Sequence, residues 1–91
     1  MNNKSGKEKL FRSFDYMNKK NKLVLYNDEI NTFENVIENL VRHCNFELVQ
    51  AEQLAILAHY KGKVTLTHGR KNKLSSIREK LHEANLMVEI H

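Results

Sequence analysis

The chain has 91 residues, Lys and Arg total 15 against 11 Asp and Glu, and the formal charge is +4. That length makes one small domain with a single core. No apolar stretch reaches the roughly 20 residues of a membrane span, no secretory signal is visible in the polar N-terminus, and a single cysteine, Cys44, excludes an internal disulfide. The charge is unevenly spread. Residues 1–22 hold seven Lys or Arg and two acids, a balance of +5, and the rest of the chain carries −1. The basicity therefore belongs to a tail, and the folded part is close to neutral.

Residues 1–20 are rich in Asn, Lys and Ser and bury too little apolar surface to offset the entropy of ordering them. They are expected to form a flexible basic extension, with residues 21–91 as the folded domain. Leu10, Phe11, Phe14, Tyr16 and Met17 are the apolar exception within that extension. Lys22 to Tyr26 is a short apolar run and reads as the first strand. Asn27 to Ile30 turn the chain. Asn31-Thr32-Phe33-Glu34 has helix-cap spacing, with Asn31 accepting from the amide three residues on and Glu34 placed to bond back. Phe33, Val36, Ile37, Leu40, Val41 and Cys44 then form one apolar stripe of a first helix.

Ala51 to Tyr60 reads as a second helix, apolar on more than one side at Leu54 to Ala58, which predicts a sandwiched element. Gly62 ends it. Lys63 to Thr67 alternates with period two and predicts a strand with one buried face, closed by His68-Gly69. Leu74, Ile77, Leu81 and Ala84 mark a shorter third helix, and Leu86 to Ile90 a last strand. The order β-α-α-β-α-β gives an α+β sandwich, a three-stranded antiparallel sheet covered by three helices.

Enzyme readings find little support in this pattern. The five histidines, His43, His59, His68, His82 and His91, fall in different elements, with no HxxxH, HxH or CxxC spacing for a metal. His43 and Cys44 are helix neighbours pointing about 100° apart, so they do not pair as base and nucleophile. Gly69-Arg70-Lys71 is too short to cradle a phosphate. What remains is a set of acceptors on loop edges: Asn27, Asp28 and Glu29 after the first strand, and His59 near the end of the second helix. Such a set suits a cationic ligand. Taken singly, Asn-Asp after a strand marks a turn, a histidine near a helix end is a structural residue, and Phe33 and Ala55 at helical spacing mark core.

Read together, Tyr26-Asn27-Asp28-Glu29, Asn31-Thr32-Phe33-Glu34 with Val36-Ile37, Ala51-Glu52-Gln53-Leu54 and His59-Tyr60-Lys61-Gly62-Lys63 resemble the ClpS family, adaptors of the ATP-dependent Clp protease. The similarity covers about Lys22 to Ile90. It implies an adaptor, not an enzyme, that binds proteins beginning with Leu, Phe, Tyr or Trp and hands them to the N-domain of a Clp-type AAA+ unfoldase. The resemblance further implies that Asn27, Asp28 and His59 ring the substrate α-amino group, with Glu29, where the family usually has Asp, acting through water. Asn31, Thr32, Phe33, Val36, Ala55, Ala58 and Leu86 would form the hydrophobic pocket, and Lys73 would touch the unfoldase. Asn31-Thr32 stand where the family often has Thr-Pro. Phe33 and Ala55 stand where many members have methionine, which adds volume at one wall and removes it at another.

The chemistry is coherent on its own terms. An α-amino group is mostly cationic at neutral pH, and a carboxylate, an amide oxygen and a neutral imidazole nitrogen are divergent acceptors for its three N–H donors. The expectation is a cytoplasmic monomer without cofactor, metal, membrane or nucleic-acid partner. The alternative is a small nucleic-acid-binding domain that uses the basic tail, which would bind with steep salt dependence.

Overall fold

The computed structural model describes residues 21–91, and the expected N-terminal extension, 1–20, lies outside the described residues. The elements follow the order read from the sequence: β1 (Asn21–Tyr26), α1 (Phe33–Cys44), α2 (Leu48–Lys61), β2 (Lys63–Gly69), α3 (Lys71–Glu83) and β3 (Val88–Ile90). β1 is central. It pairs antiparallel with β2 on one side and β3 on the other, giving the order β2-β1-β3. Its apolar run reflects that position, because Leu23, Val24 and Leu25 are all buried. A bulge interrupts the β1–β2 register, where Leu23 faces Thr67 and Val24 faces Thr65. Leu66, between those partners, turns into the core, and Val64 packs against the same core.

α1 begins one residue later than its cap was read. Thr32, not Asn31, is the N-cap: its backbone is extended, and its hydroxyl accepts from the Asn35 amide at 3.1 Å. The shift follows from Asp28, which accepts the Asn31 amide and so holds Asn31 in the preceding turn. Of the expected apolar stripe, Leu40 is fully buried and Val36, Ile37 and Cys44 pack against the core, whereas Phe33 and Val41 are exposed.

α2 starts at Leu48, three residues ahead of the expected Ala51, from an extended Glu47. It is not sandwiched. Its buried side is Ala51, Ala55 and Ala58, while Ile56 and Leu57 are exposed. Small residues along one face let a helix lie close to its neighbours, so the alanines face inward and the larger side chains turn out. Gly62 closes α2 in the left-handed region at φ 89°, donating to the Ala58 carbonyl at 2.9 Å.

Lys71–Glu83 is a full-length helix, with Leu74 and Leu81 completely buried. It ends in a Schellman turn. Asn85 is left-handed at φ 66°, its amide bonds the His82 carbonyl at 2.9 Å, and the Leu86 amide bonds the Leu81 carbonyl at 3.0 Å. That turn uses Leu86, so β3 is shorter than the expected Leu86–Ile90. The core gathers Leu23 and Leu25, Leu40, Ala51 and Ala58, Leu66, Leu74 and Leu81, Leu86 and Val88.

Candidate functional site

Three chain segments meet beyond the end of β1. The β1–α1 loop is anchored there by backbone, the Asn27 amide donating to the Gly62 carbonyl at 2.9 Å and the Tyr26 amide to the Met87 carbonyl at 2.8 Å. The loop then folds over the Asp28 side chain. Asp28 Oδ1 accepts from the Ile30 amide at 2.8 Å and the Asn31 amide at 2.7 Å, and Oδ2 accepts from Asn31 Nδ2 at 3.0 Å. Desolvation pushes the Asp28 carboxyl upward, but the three hydrogen bonds, from the Asn31 backbone and side chain and the Ile30 backbone, outweigh it and hold the group below its ordinary value. Asp28 is therefore an anion at neutral pH, and Oδ2 keeps acceptor capacity beyond its one bond.

Phe33 opens α1 and Val36 follows one turn later. Ala55, Ala58 and His59 share one face of α2 at i, i+3 and i+4. The Phe33 and His59 rings meet edge to face with centroids 5.3 Å apart, and Tyr60 flanks His59 at 5.1 Å. Among the described residues, the imidazoles engaged in hydrogen bonds are those of His82 and His91, and the exposed His59 makes none.

These residues enclose a cavity of about 50 Å³ lined by Leu25, Tyr26, Asn27, Asp28, Asn31, Phe33, Val36, Ala55, Ala58 and His59. Asn27 and His59 are exposed, whereas Ala55 and Ala58 are buried, so polar acceptors stand at the mouth and apolar groups at the floor. Eight of the expected site residues thus converge: Asn27, Asp28, Asn31, Phe33, Val36, Ala55, Ala58 and His59. The others do not join them. Glu29 is exposed and off the cavity wall, Thr32 is exposed and spends its hydroxyl on the helix cap, and Leu86 is 2 % exposed within the main core. Lys73 is exposed in the first turn of α3, away from the lining. Leu25 and Tyr26 belong to the wall and were missed. Their position immediately before Asn27, at the end of an apolar run, is the signal that could have found them.

A broader open groove of about 690 Å³ lies between α1 and α2, lined by Glu34, Ile37, Glu38, Val41, Arg42, Leu48 and Glu52. It contains none of the expected site residues. Cys44 is half-buried, and burial pushes its thiol up to about 11, so it is protonated and unreactive at neutral pH. No cluster of three or more metal-ligating side chains occurs among the described residues. No helix among them is long and apolar enough to cross a membrane.

The described residues thus form a small α+β domain with a cavity lined by both polar acceptors and apolar side chains. The comparisons give that class its family. The model of ATP-dependent Clp protease adaptor protein ClpS matches residues 17–89, and the chain belongs to that adaptor family. The fold is similar to the solved structure of Agrobacterium tumefaciens ClpS2 bound to L-phenylalaninamide, with a TM-score of 0.74 at 20 % identity, covering 80 % of this chain and 95 % of that one. No curated protein matches the chain significantly.

Proposed function

We propose that this adaptor recognises the N-terminal residue of substrate proteins, holding a free α-amino group at Asn27, Asp28 and His59 and a large hydrophobic first side chain (Leu, Phe, Tyr or Trp) against Phe33, Val36, Ala55 and Ala58. One observation carries the reading: the acceptor set and the apolar set, far apart in sequence, line the same cavity. A polypeptide's first residue presents those two chemistries at that spacing. The neighbouring fold of ClpS2 in complex with L-phenylalaninamide, which has an α-amino group and an aromatic side chain, supports it.

The cavity is small as it stands, about 50 Å³, where one water occupies about 30 Å³ of liquid. Phe33, at its wall, is 42 % exposed and packs by its ring on His59. Hydrogen bonds to a charged partner contribute about 1.5–3 kcal/mol each, and burying a Leu or Phe side chain about 1.5–3 kcal/mol. After the cost of association these sums give micromolar affinity, about −8 kcal/mol. The bound substrate is delivered to the N-domain of a Clp-type AAA+ unfoldase, with Lys73 on the contacting surface and the basic extension assisting transfer. The protein does no chemistry on the substrate and uses no cofactor.

Titration of a fluorescent peptide beginning with Phe, its N-acetylated twin and a short DNA duplex tests the reading. The free-amine peptide is expected to bind at micromolar concentration and the acetylated one at least tenfold more weakly. Equal binding of the acetylated peptide, or binding of the duplex alone, overturns the proposal.

A further inference from the structure

A chain of amide side chains runs along α1 from the site into the protein. Asn35 Nδ2 donates to Asn31 Oδ1 at 2.6 Å, and Asn39 Nδ2 donates to the Asn35 carbonyl at 2.8 Å and to Asn35 Oδ1 at 3.2 Å. At the site end, Asn31 Nδ2 spends one hydrogen on Asp28 Oδ2 at 3.0 Å and the other on the Asn85 carbonyl at 2.7 Å. Asparagines four residues apart ordinarily mark a solvated helix face. Here Asn39 is 8 % exposed, a buried polar side chain in an apolar core.

Both donors of the Asn31 amide are thus committed to different segments, and its oxygen to a third. Asp28 belongs to the acceptor loop, Asn35 to α1, and Asn85 is the left-handed residue of the Schellman turn after α3. A side chain so occupied has little capacity left for a ligand. Its effect is on Asp28: the Asn31 amide is the one group in the described residues that bonds Oδ2, the carboxylate oxygen with acceptor capacity to spare.

We infer that Asn31 is a positioning residue, which together with Asn35 fixes the Asp28 carboxylate and the Asn27–Asn31 loop so that their acceptors converge on the substrate α-amino group. The inference rests on the α-amino reading of the site. It assigns the asparagines a role in amine discrimination beyond packing, because they set the orientation of an acceptor rather than the shape of the apolar floor.

The test compares the full chain with Asn31→Leu and Asn35→Leu, using two peptides identical except that one begins with Phe and the other with its des-amino analogue, a 3-phenylpropanoyl group. The readout is the ratio of the two dissociation constants, with thermal melting as a check on folding. Wild type is expected to favour the free amine at least tenfold. Asn31→Leu should cut that ratio at least fivefold, and Asn35→Leu, which lies off the cavity wall, should cut it by less while des-amino binding stays within about twofold. An unchanged ratio in folded Asn31→Leu, or parallel weakening of both peptides, overturns the inference alone. If Asn31→Leu does not fold, Asn35→Leu decides by the same criterion. A wild-type protein without preference for the free amine overturns the reading of the site, and this inference with it.

Discussion

Asp28 serves two masters, its own turn and the mouth of the cavity. Its depressed folded-state pKa contributes stability that is present above the ordinary value of 3.8 and is lost as pH falls through the lower folded value. In Asp28→Asn that term is missing. The gap in melting temperature between wild type and the variant is therefore expected to narrow from pH 5 to pH 3, and a constant gap would show that the turn does not depend on the charge. His59 is tested by removal. His59→Ala should weaken binding of a peptide beginning with Phe several-fold and binding of its acetylated twin by less. Equal weakening of both peptides would remove His59 from the acceptor set. That Asn27, Asp28 and His59 line one cavity was legible because the loop Asn27-Asp28 and the helix end at His59 are continuous motifs. Leu86 and Thr32 lie off that wall; for Thr32, a sequence position does not say which of two neighbours, Asn31 or Thr32, caps a helix once a third side chain takes the first one's amide.

Among the elements, α1 shows most clearly how local chemistry sets a boundary. Thr32 caps it and Asn45 ends it in the left-handed region at φ 58°. Removing the cap in Thr32→Ala should cost about 1 kcal/mol, visible as a lower melting temperature, with the free-amine preference retained because Thr32 is off the cavity wall. Loss of that preference would place Thr32 in the site after all. The element order was readable throughout, because each stripe or alternation was long enough to declare its period. Two things were not. The face of α2 turned inward was hidden because its inner residues are alanines and its outer ones include Ile56 and Leu57, the reverse of what hydrophobicity ranking suggests. The inner face of Asn35 and Asn39 was hidden for the converse reason, since their polarity is satisfied within the chain.

Over the whole molecule, the site is continuous with the core, since Leu25 and Ala58 belong to both. Leu86 connects the two: it completes the Schellman turn whose Asn85 carbonyl receives Asn31, and it is buried with Leu81 and Val88. Leu86→Ala should destabilise the domain by about 2–5 kcal/mol, measured by denaturant unfolding. The surviving folded fraction should keep its preference for the free amine over the acetylated peptide. A stable variant with altered preference would return Leu86 to the pocket.

The bond from the Asn27 amide to the Gly62 carbonyl has a mechanical consequence. It clamps the acceptor loop to the corner that closes α2, three residues beyond His59. The acceptor loop and the end of α2 that carries His59 are thereby joined through the backbone at one corner of the fold. Phe33 meets His59 edge to face from α1, outside that joint. On the proposed reading of the site, a change at Phe33 alters which first side chains fit without loosening the joint that holds the amine acceptors.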